Sequence, residues 1–336
     1  MVLSSLLATL LLQSPVGVGA APPDSADQAP LPRAAYLPLG VARTGVSIGN
    51  APRWHGVRVN LRDANVRSVT GVSATFWKAG HDTNRDAVFT GVSFGVVGPE
   101  AGRLRGISLG GVGVLASRDM VGLNIGGGGL VSEGSIRGVN LGGLGAVSLG
   151  RTGGLTVAGI GVYARGGIDG VTAAPLGVVS GGDVYGVTVG GLAVLSQGAL
   201  RGVNVGGIAV AARGRVAGIN AASLAVLGQE QILGLNVAGV TVARAERIGG
   251  ITVAGLMVSS RGVVEGLAVS GYRVEGANLL GIAVAPYNKF TGEQRGLTIG
   301  ILNTARELHG IQIGLLNHAG NNPSGLRWLP LFNFHH

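Results

Sequence analysis

The 336-residue chain has no cysteine, which excludes a disulfide framework, a cysteine lipid anchor and any Cys/His ligand spacing for a metal. Aromatic residues make up only 4% of it, and between Gly106 and Gly266 they are Tyr163 and Tyr185 alone. That scarcity leaves nothing to build the aromatic girdles of a membrane barrel. Lysine is nearly missing too. Of 25 basic residues only Lys78 and Lys289 are Lys, and neither follows a glycine, so there is no Gly-Lys pair of a phosphate-binding loop. Charged residues amount to 12%, and no apolar run reaches the ~20 residues of a membrane-spanning helix.

What the chain has instead is glycine, 64 of them, and in the middle they keep strict time. Gly106, Gly122, Gly138, Gly154, Gly170, Gly186, Gly202, Gly218, Gly234, Gly250 and Gly266 recur every sixteen residues without a slip, the mark of a repeat architecture. With that glycine as position 0, position 1 is always aliphatic (Ile107, Leu123, Val139, Leu155) and position 3 is Leu, Ile, Val or Ala. Both point to one side of a strand. Position 2 points to the other and carries small hydrogen-bonding residues such as Asn124, Asn140, Thr156, Thr188 and Asn204. Positions 4 and 5 are small, apolar residues resume at 6 and 8, position 12 is often glycine, and position 14 is apolar again. The pattern predicts two short strands per unit, joined by a sharp bend at the small pair, with turn chemistry near position 12. It turns about five apolar side chains, at positions 1, 3, 6, 8 and 14, toward one interior. The position-2 rank is then left as a flat face that glycan or ice could meet.

One such unit cannot bury enough to stand alone, so the units must stack. The expected fold is all-β: a β-solenoid of about sixteen coils, each of 16 residues, with in-register side-chain ladders and irregular, aromatic-rich caps. At ~4.8 Å per coil the eleven strict units span roughly 50 Å. The alternative is an outer-membrane β-barrel with a pore or transport role, which also alternates and also follows an export signal. Against it, a sixteen-residue hairpin is too short for two spanning strands of ~9 to 11 residues plus their turns.

Residues 1–20 read as a secretory signal peptide: an apolar run from Val2 to Leu12, then Gln13-Ser14-Pro15 and a small-residue site ending at Ala20. Residues 21–32 form a Pro/Ala/Asp-rich linker. Residues 33–105 are irregular repeats and an N-terminal cap, 106–281 the strict array, and 282–336 the C-terminal repeats and cap. All six Phe and all three Trp fall outside the stretch from Gly106 to Gly266. They are expected to cover the open solenoid ends, with Leu329-Pro330-Leu331-Phe332-Asn333-Phe334 as a terminal plug.

The runs Gly56-Val57-Arg58-Val59-Asn60-Leu61, Gly296-Leu297-Thr298-Ile299-Gly300-Ile301-Leu302-Asn303 and Gly310-Ile311-Gln312-Ile313-Gly314-Leu315-Leu316-Asn317, with the closing Leu-Pro-Leu-Phe-Asn-Phe, resemble a largely uncharacterised family of bacterial surface-repeat proteins. The resemblance covers nearly all of the chain after the signal. It implies an exported or surface-displayed repeat protein without an assigned reaction.

Three stretches match the Gly-x-Ser-x-Gly pattern of hydrolase elbows, around Ser47, Ser93 and Ser108, but each reads as a repeat unit whose position 2 is Ser, with no strand-to-helix turn beside it. His81-Asp82, near Asp86, and His335-His336 read as solvated loop and tail. No catalytic residue, metal site or cofactor is expected, and the chain reads as a non-enzyme. The charge pattern is more informative. Arginines gather at the turn and its flanks, and stacking would draw Arg137, Arg165, Arg201, Arg213, Arg215, Arg244, Arg247 and Arg261 along one edge. With a net charge of +9, such an edge suits anionic envelope glycans or lipopolysaccharide, because guanidinium pairs bidentately with phosphate and carboxylate. Nucleic acid is not an expected partner, since export separates the two and no aromatics interleave with the arginines. The expected setting is the periplasm, cell surface or outer membrane, with membrane association left open.

Overall fold

The computed structural model describes residues 35–79 and 83–335, which form an all-β solenoid of about 15 turns with coils of about 16 residues. The expected signal peptide and linker, and the His81-Asp82 and His336 positions, lie outside the described residues. In the unit of Gly138 a seven-residue strand, Ile136–Gly142, runs from position 14 to position 4, and a four-residue strand, Gly145–Ser148, covers positions 7 to 10. Each pairs in parallel with its equivalents one coil away: Gly138 with Gly122 and Gly154, Ala146 with Leu130 and Val162. The step stays at sixteen through Gly266 and drops to fifteen for Gly281 and Gly296. This pairing overturns the barrel alternative. The sheet never closes on itself: among the described residues, Tyr36–Val41 pairs only with Thr44–Gly49 at one end, and Trp328–His335 only with Tyr287–Ala319 at the other.

The long strand is bent at position 0, where Gly138, Gly154 and Gly186 have φ of +110°, +89° and +114°. The bend resets the alternation, so positions 15 and 1 both face outward and position 2 faces in. The expected orientation of half the repeat is therefore reversed. Positions 1, 3 and 6 lie outside, as with Val139, Val157 and Leu144, while only 8 and 14 of the predicted apolar set line the interior. Val162, Val178, Val194 and Val210 form one fully buried column, and Ile136, Ile168, Val184 and Leu200 another. Small residues at positions 4 and 10, such as Ala158, Ala164 and Ser148, complete the core.

The position-2 rank is the polar wall of that core, not a recognition face. Asn124, Asn140, Asn204, Asn220 and Asn236 are all buried. Burial is tolerable because the amides satisfy one another along the stack. The Nδ2 of Asn124 donates to Asn140 Oδ1 at 2.9 Å, that of Asn140 to Thr156 Oγ1 at 3.1 Å, and those of Asn204 and Asn220 to the next Asn Oδ1 at 2.9 Å. A second ladder, Asn288 to Asn303 to Asn317, runs through the last coils at 2.8 and 2.7 Å. Near the other end an arginine takes the position-2 place. Arg58 Nη2 meets Asp63 Oδ1 at 2.6 Å with both side chains buried. The same carboxylate accepts from Asn60 Nδ2 at 2.8 Å and Thr75 Oγ1 at 2.9 Å, hydrogen bonds that offset the cost of burying the ion pair, although Arg58 Nε is buried without a partner.

The ends are closed differently from the expected aromatic plug. Each terminal strand reverses and pairs antiparallel, Pro38 opposite Ser47 and Phe332 opposite Ile313. Reversal stops coil-on-coil propagation, and Pro38 and Pro330 sit in these two edge strands, where proline blunts edge-to-edge pairing. Trp54, Phe89 and Phe290 do fill the core near the ends, whereas Phe76, Trp77, Phe94, Trp328, Phe332 and Phe334 stand outside it.

Adjacent glycines isolate the constraint at position 0. A Cβ on Gly154 would lie 2.2 Å from the carbonyl oxygen of Gly138, whereas one on Gly153 would meet nothing nearer than 3.7 Å. Gly154→Ala is expected to lower stability by at least ~1–3 kcal/mol from backbone strain alone, and Gly153→Ala to stay within about 1 kcal/mol of wild type, as read from parallel thermal or urea melts.

Candidate anion-binding edge

The coil leaves its second strand after position 10, turns, and re-enters the long strand at about position 14, so side chains at positions 11, 13 and 15 project from one edge. The structure distributes the eight predicted arginines over that edge as columns, not as one row. Arg165, Arg213 and Arg261 share position 11 but stand three coils apart, ~14 Å at the usual strand spacing. Arg215 and Arg247 occupy position 13, and Arg137 and Arg201 position 15. Arg244 sits at a distorted turn with φ of 78° and is half-buried.

Acidic neighbours claim part of this charge. Arg247 is engaged by Glu265, and Arg151 lies 3.3 Å from Asp169. Arg201 lies over the Tyr185 ring, 5.2 Å from its centroid, and donates to the Tyr185 hydroxyl at 3.0 Å. Tyr185 in turn donates to Asp183 Oδ2 at 3.1 Å, and Asp183 Oδ1 accepts the Ala199 amide at 2.8 Å. That backbone hydrogen bond, then Tyr185 and the charges of Arg201 and Arg151, hold the Asp183 carboxyl below its ordinary value against the opposing effect of burial. Four coils earlier, Asp119 Oδ1 likewise accepts a backbone amide, that of Ser135, at 3.1 Å.

The groups left over converge around Arg137. A cleft of about 230 Å³ is lined by Arg103, Arg105, Asp119, Val121 and Arg137. A second, lined by Arg137, Gly138, Arg151, Gly153, Gly154 and Asp169, adjoins it. Arg103 is 3.9 Å from Asp119. Among the described residues Arg105, Arg137, Arg165, Arg215 and Arg261 have no carboxylate in ion-pair range. Arg105 and Arg137 stand in the same column two coils apart, ~10 Å, with Val121 between them and side-chain-free Gly153 beyond. Arg105 and Arg137 thus both line the first cleft, and Arg137 also lines the second, where Gly153 contributes no side chain. The sequence reading omitted Arg105 because its array began at Gly106. The signal was present, since Arg105, like Arg137 and Arg201, immediately precedes a position-0 glycine.

Ser47, Ser93 and Ser108 are buried members of the position-2 rank, enclosed within the coil. Among the described residues no group of three or more His, Cys, Asp or Glu is arranged to hold a metal. Comparison with family models, with curated proteins and with solved structures finds no match for this chain.

Asp183 gives the edge an acid limit. Because its folded pKa is depressed, its stabilising contribution is fully present above the unfolded value of ~3.9 and is lost as pH falls through the folded value. Asp183→Asn is expected to destabilise the protein at pH 7 and to flatten the decline in melting temperature below about pH 4, which paired melts over a pH series will read.

Proposed function

We propose that this is an exported, non-catalytic repeat protein of the bacterial envelope whose arginine edge holds anionic polymers, either acidic glycans or the phosphorylated part of lipopolysaccharide. The observation that carries the reading is the pair of adjoining clefts around Arg137, in which Arg105 and Arg137 lack carboxylate partners. A repeating polyanion suits this arrangement better than a small ligand does. Its charges recur along a line, and so do Arg165, Arg213 and Arg261 farther along the stack. Guanidinium groups grip phosphate and carboxylate bidentately, and the intervening acids at Asp119 and Asp169 space the sites. The apolar N-terminal run and the resemblance to bacterial surface-repeat proteins support the envelope setting. The stack itself supplies a firm scaffold without disulfides, since every coil is held by backbone pairing to the next.

The test is binding of the protein to heparin, as a soluble acidic polysaccharide, and to purified lipopolysaccharide, over a salt series. Wild type is expected to bind both, with affinity falling as salt rises. Arg105→Gln with Arg137→Gln is expected to weaken binding about tenfold or more, from two lost charge-assisted contacts, with an unchanged melt. Equal affinity of the double variant and wild type removes the edge from consideration.

A further inference from the structure

Between Ile107 and Ser259 every charged side chain falls at positions 10 to 15 of its unit, and none at positions 1, 3, 5, 6, 7 or 9. The bend at position 0 turns positions 1 and 3 outward, and the second strand turns position 9 outward as well. The coil therefore shows aliphatic columns on two adjacent faces: Val139 and Val171 on one, Val131 and Val179 on the other. The corner between them, at position 6, is the most exposed part. Leu144 is 59% and Leu176 54% accessible, with Val112 and Leu256 in the same column. Taken over the eleven regular coils, this surface is on the order of 1,000 Å² or more, beyond the few hundred Å² that a soluble monomer ordinarily leaves bare.

Shape and charge select the occupant. A second copy, or any flat protein face, would cover one strand face and leave the other bare around the corner. A fluid apolar phase covers both faces and the ridge together. Contact with lipid exposes no unpaired backbone on the faces, because their amides and carbonyls are bonded between coils. The arginine columns lie at the opposite edge, one four-residue strand away, or ~13 Å. That distance lets long guanidinium side chains reach headgroup phosphates while the ridge lies ~5–10 Å into the acyl boundary. We infer that the position-6 corner is a lipid-seating ridge, and that the solenoid rests on an anionic lipid surface with its arginine edge at the level of the headgroups. The inference takes the envelope setting proposed above as given, but it does not depend on polymer binding.

Co-sedimentation of the full chain with phosphatidylcholine vesicles and with phosphatidylcholine–phosphatidylglycerol vesicles tests it, alongside heparin binding measured separately. Wild type is expected to bind the anionic vesicles and to retain part of that binding at 0.5 M salt. Leu144→Asp with Leu176→Asp is expected to reduce vesicle affinity at least tenfold while leaving heparin binding unchanged. Should those aspartates disturb folding, the absence of native cysteine permits a second measurement. An environment-sensitive fluorophore on Leu176→Cys should shift to the blue with vesicles and be quenched by lipid spin-labelled on its acyl chain, and more strongly than the same label on Gln197→Cys, at the charged edge beside the headgroups. Three results would overturn the inference: no vesicle binding by wild type, binding that Leu144→Asp with Leu176→Asp leaves intact, or a lipid-free dimer that those substitutions dissolve. The last would make a second copy the occupant. Loss of heparin binding alone would count against the arginine edge and leave the ridge standing.

Discussion

Each coil rests on the one before it in close contact at position 0, where the glycine lies against the carbonyl of the glycine one coil earlier. No side chain fits there: a Cβ on Gly122, Gly138, Gly186 or Gly202 would come within 2.0 to 2.1 Å of that oxygen. The same residue adopts a positive φ that bends the strand, so one glycine fixes both the spacing of the stack and the direction in which every following side chain points. The two demands reinforce each other, which explains why the glycine period runs unbroken through the array while other positions drift.

Much follows from that bend. By bringing position 2 inside, it encloses a rank of Asn, Thr and Ser, in which runs of Asn offset their desolvation by hydrogen bonds from coil to coil, while Thr188 and Thr252 keep unpartnered hydroxyls. By holding positions 15 and 1 both outside, it sets the arginines at 15 beside an aliphatic column at 1. The interior that remains is narrow, two aliphatic columns and a polar one with small residues between. The outer surface is correspondingly rich in Val, Leu and Ile. Charge and greasiness are thus sorted by position within the coil, and repetition extends the sorting along the whole array. The proposed edge for polyanions and the proposed ridge for lipid both trace to one sixteen-residue pattern.

The period, the all-β character, the two strands per unit and the gathering of arginine at the turn were all legible in the sequence. The side facing inward was not. Alternation is blind to an inversion of every face, and two glycine-permissive places, position 0 and positions 4 to 5, could each absorb a phase shift. The sequence reading put a break at the second alone, whereas φ at Gly138 and Gly154 puts a bend at the first. The Asn ladder could have warned of this, since a rank of identical amides at Asn204, Asn220 and Asn236 gains most where water does not compete for its hydrogen bonds. Of the edge, Arg137 and its columns were anticipated and Arg105 was not. Which arginines are spent on Glu265, Asp169 and Tyr185 depends on neighbours sixteen or more residues away, and this becomes visible only once the coils are stacked.

Distances between paired spin labels test the stacking most directly, and a chain without cysteine suits them. Labels at Leu155→Cys and Ile219→Cys, four coils apart, and at Leu155→Cys and Ile251→Cys, six coils apart, are both on the outward position-1 column. Parallel in-register coils predict separations of ~19 Å and ~29 Å, rising by ~4.8 Å for every sixteen residues. Separations that do not grow in proportion to coil number, or that coincide for the two pairs, would contradict the solenoid and everything built on it.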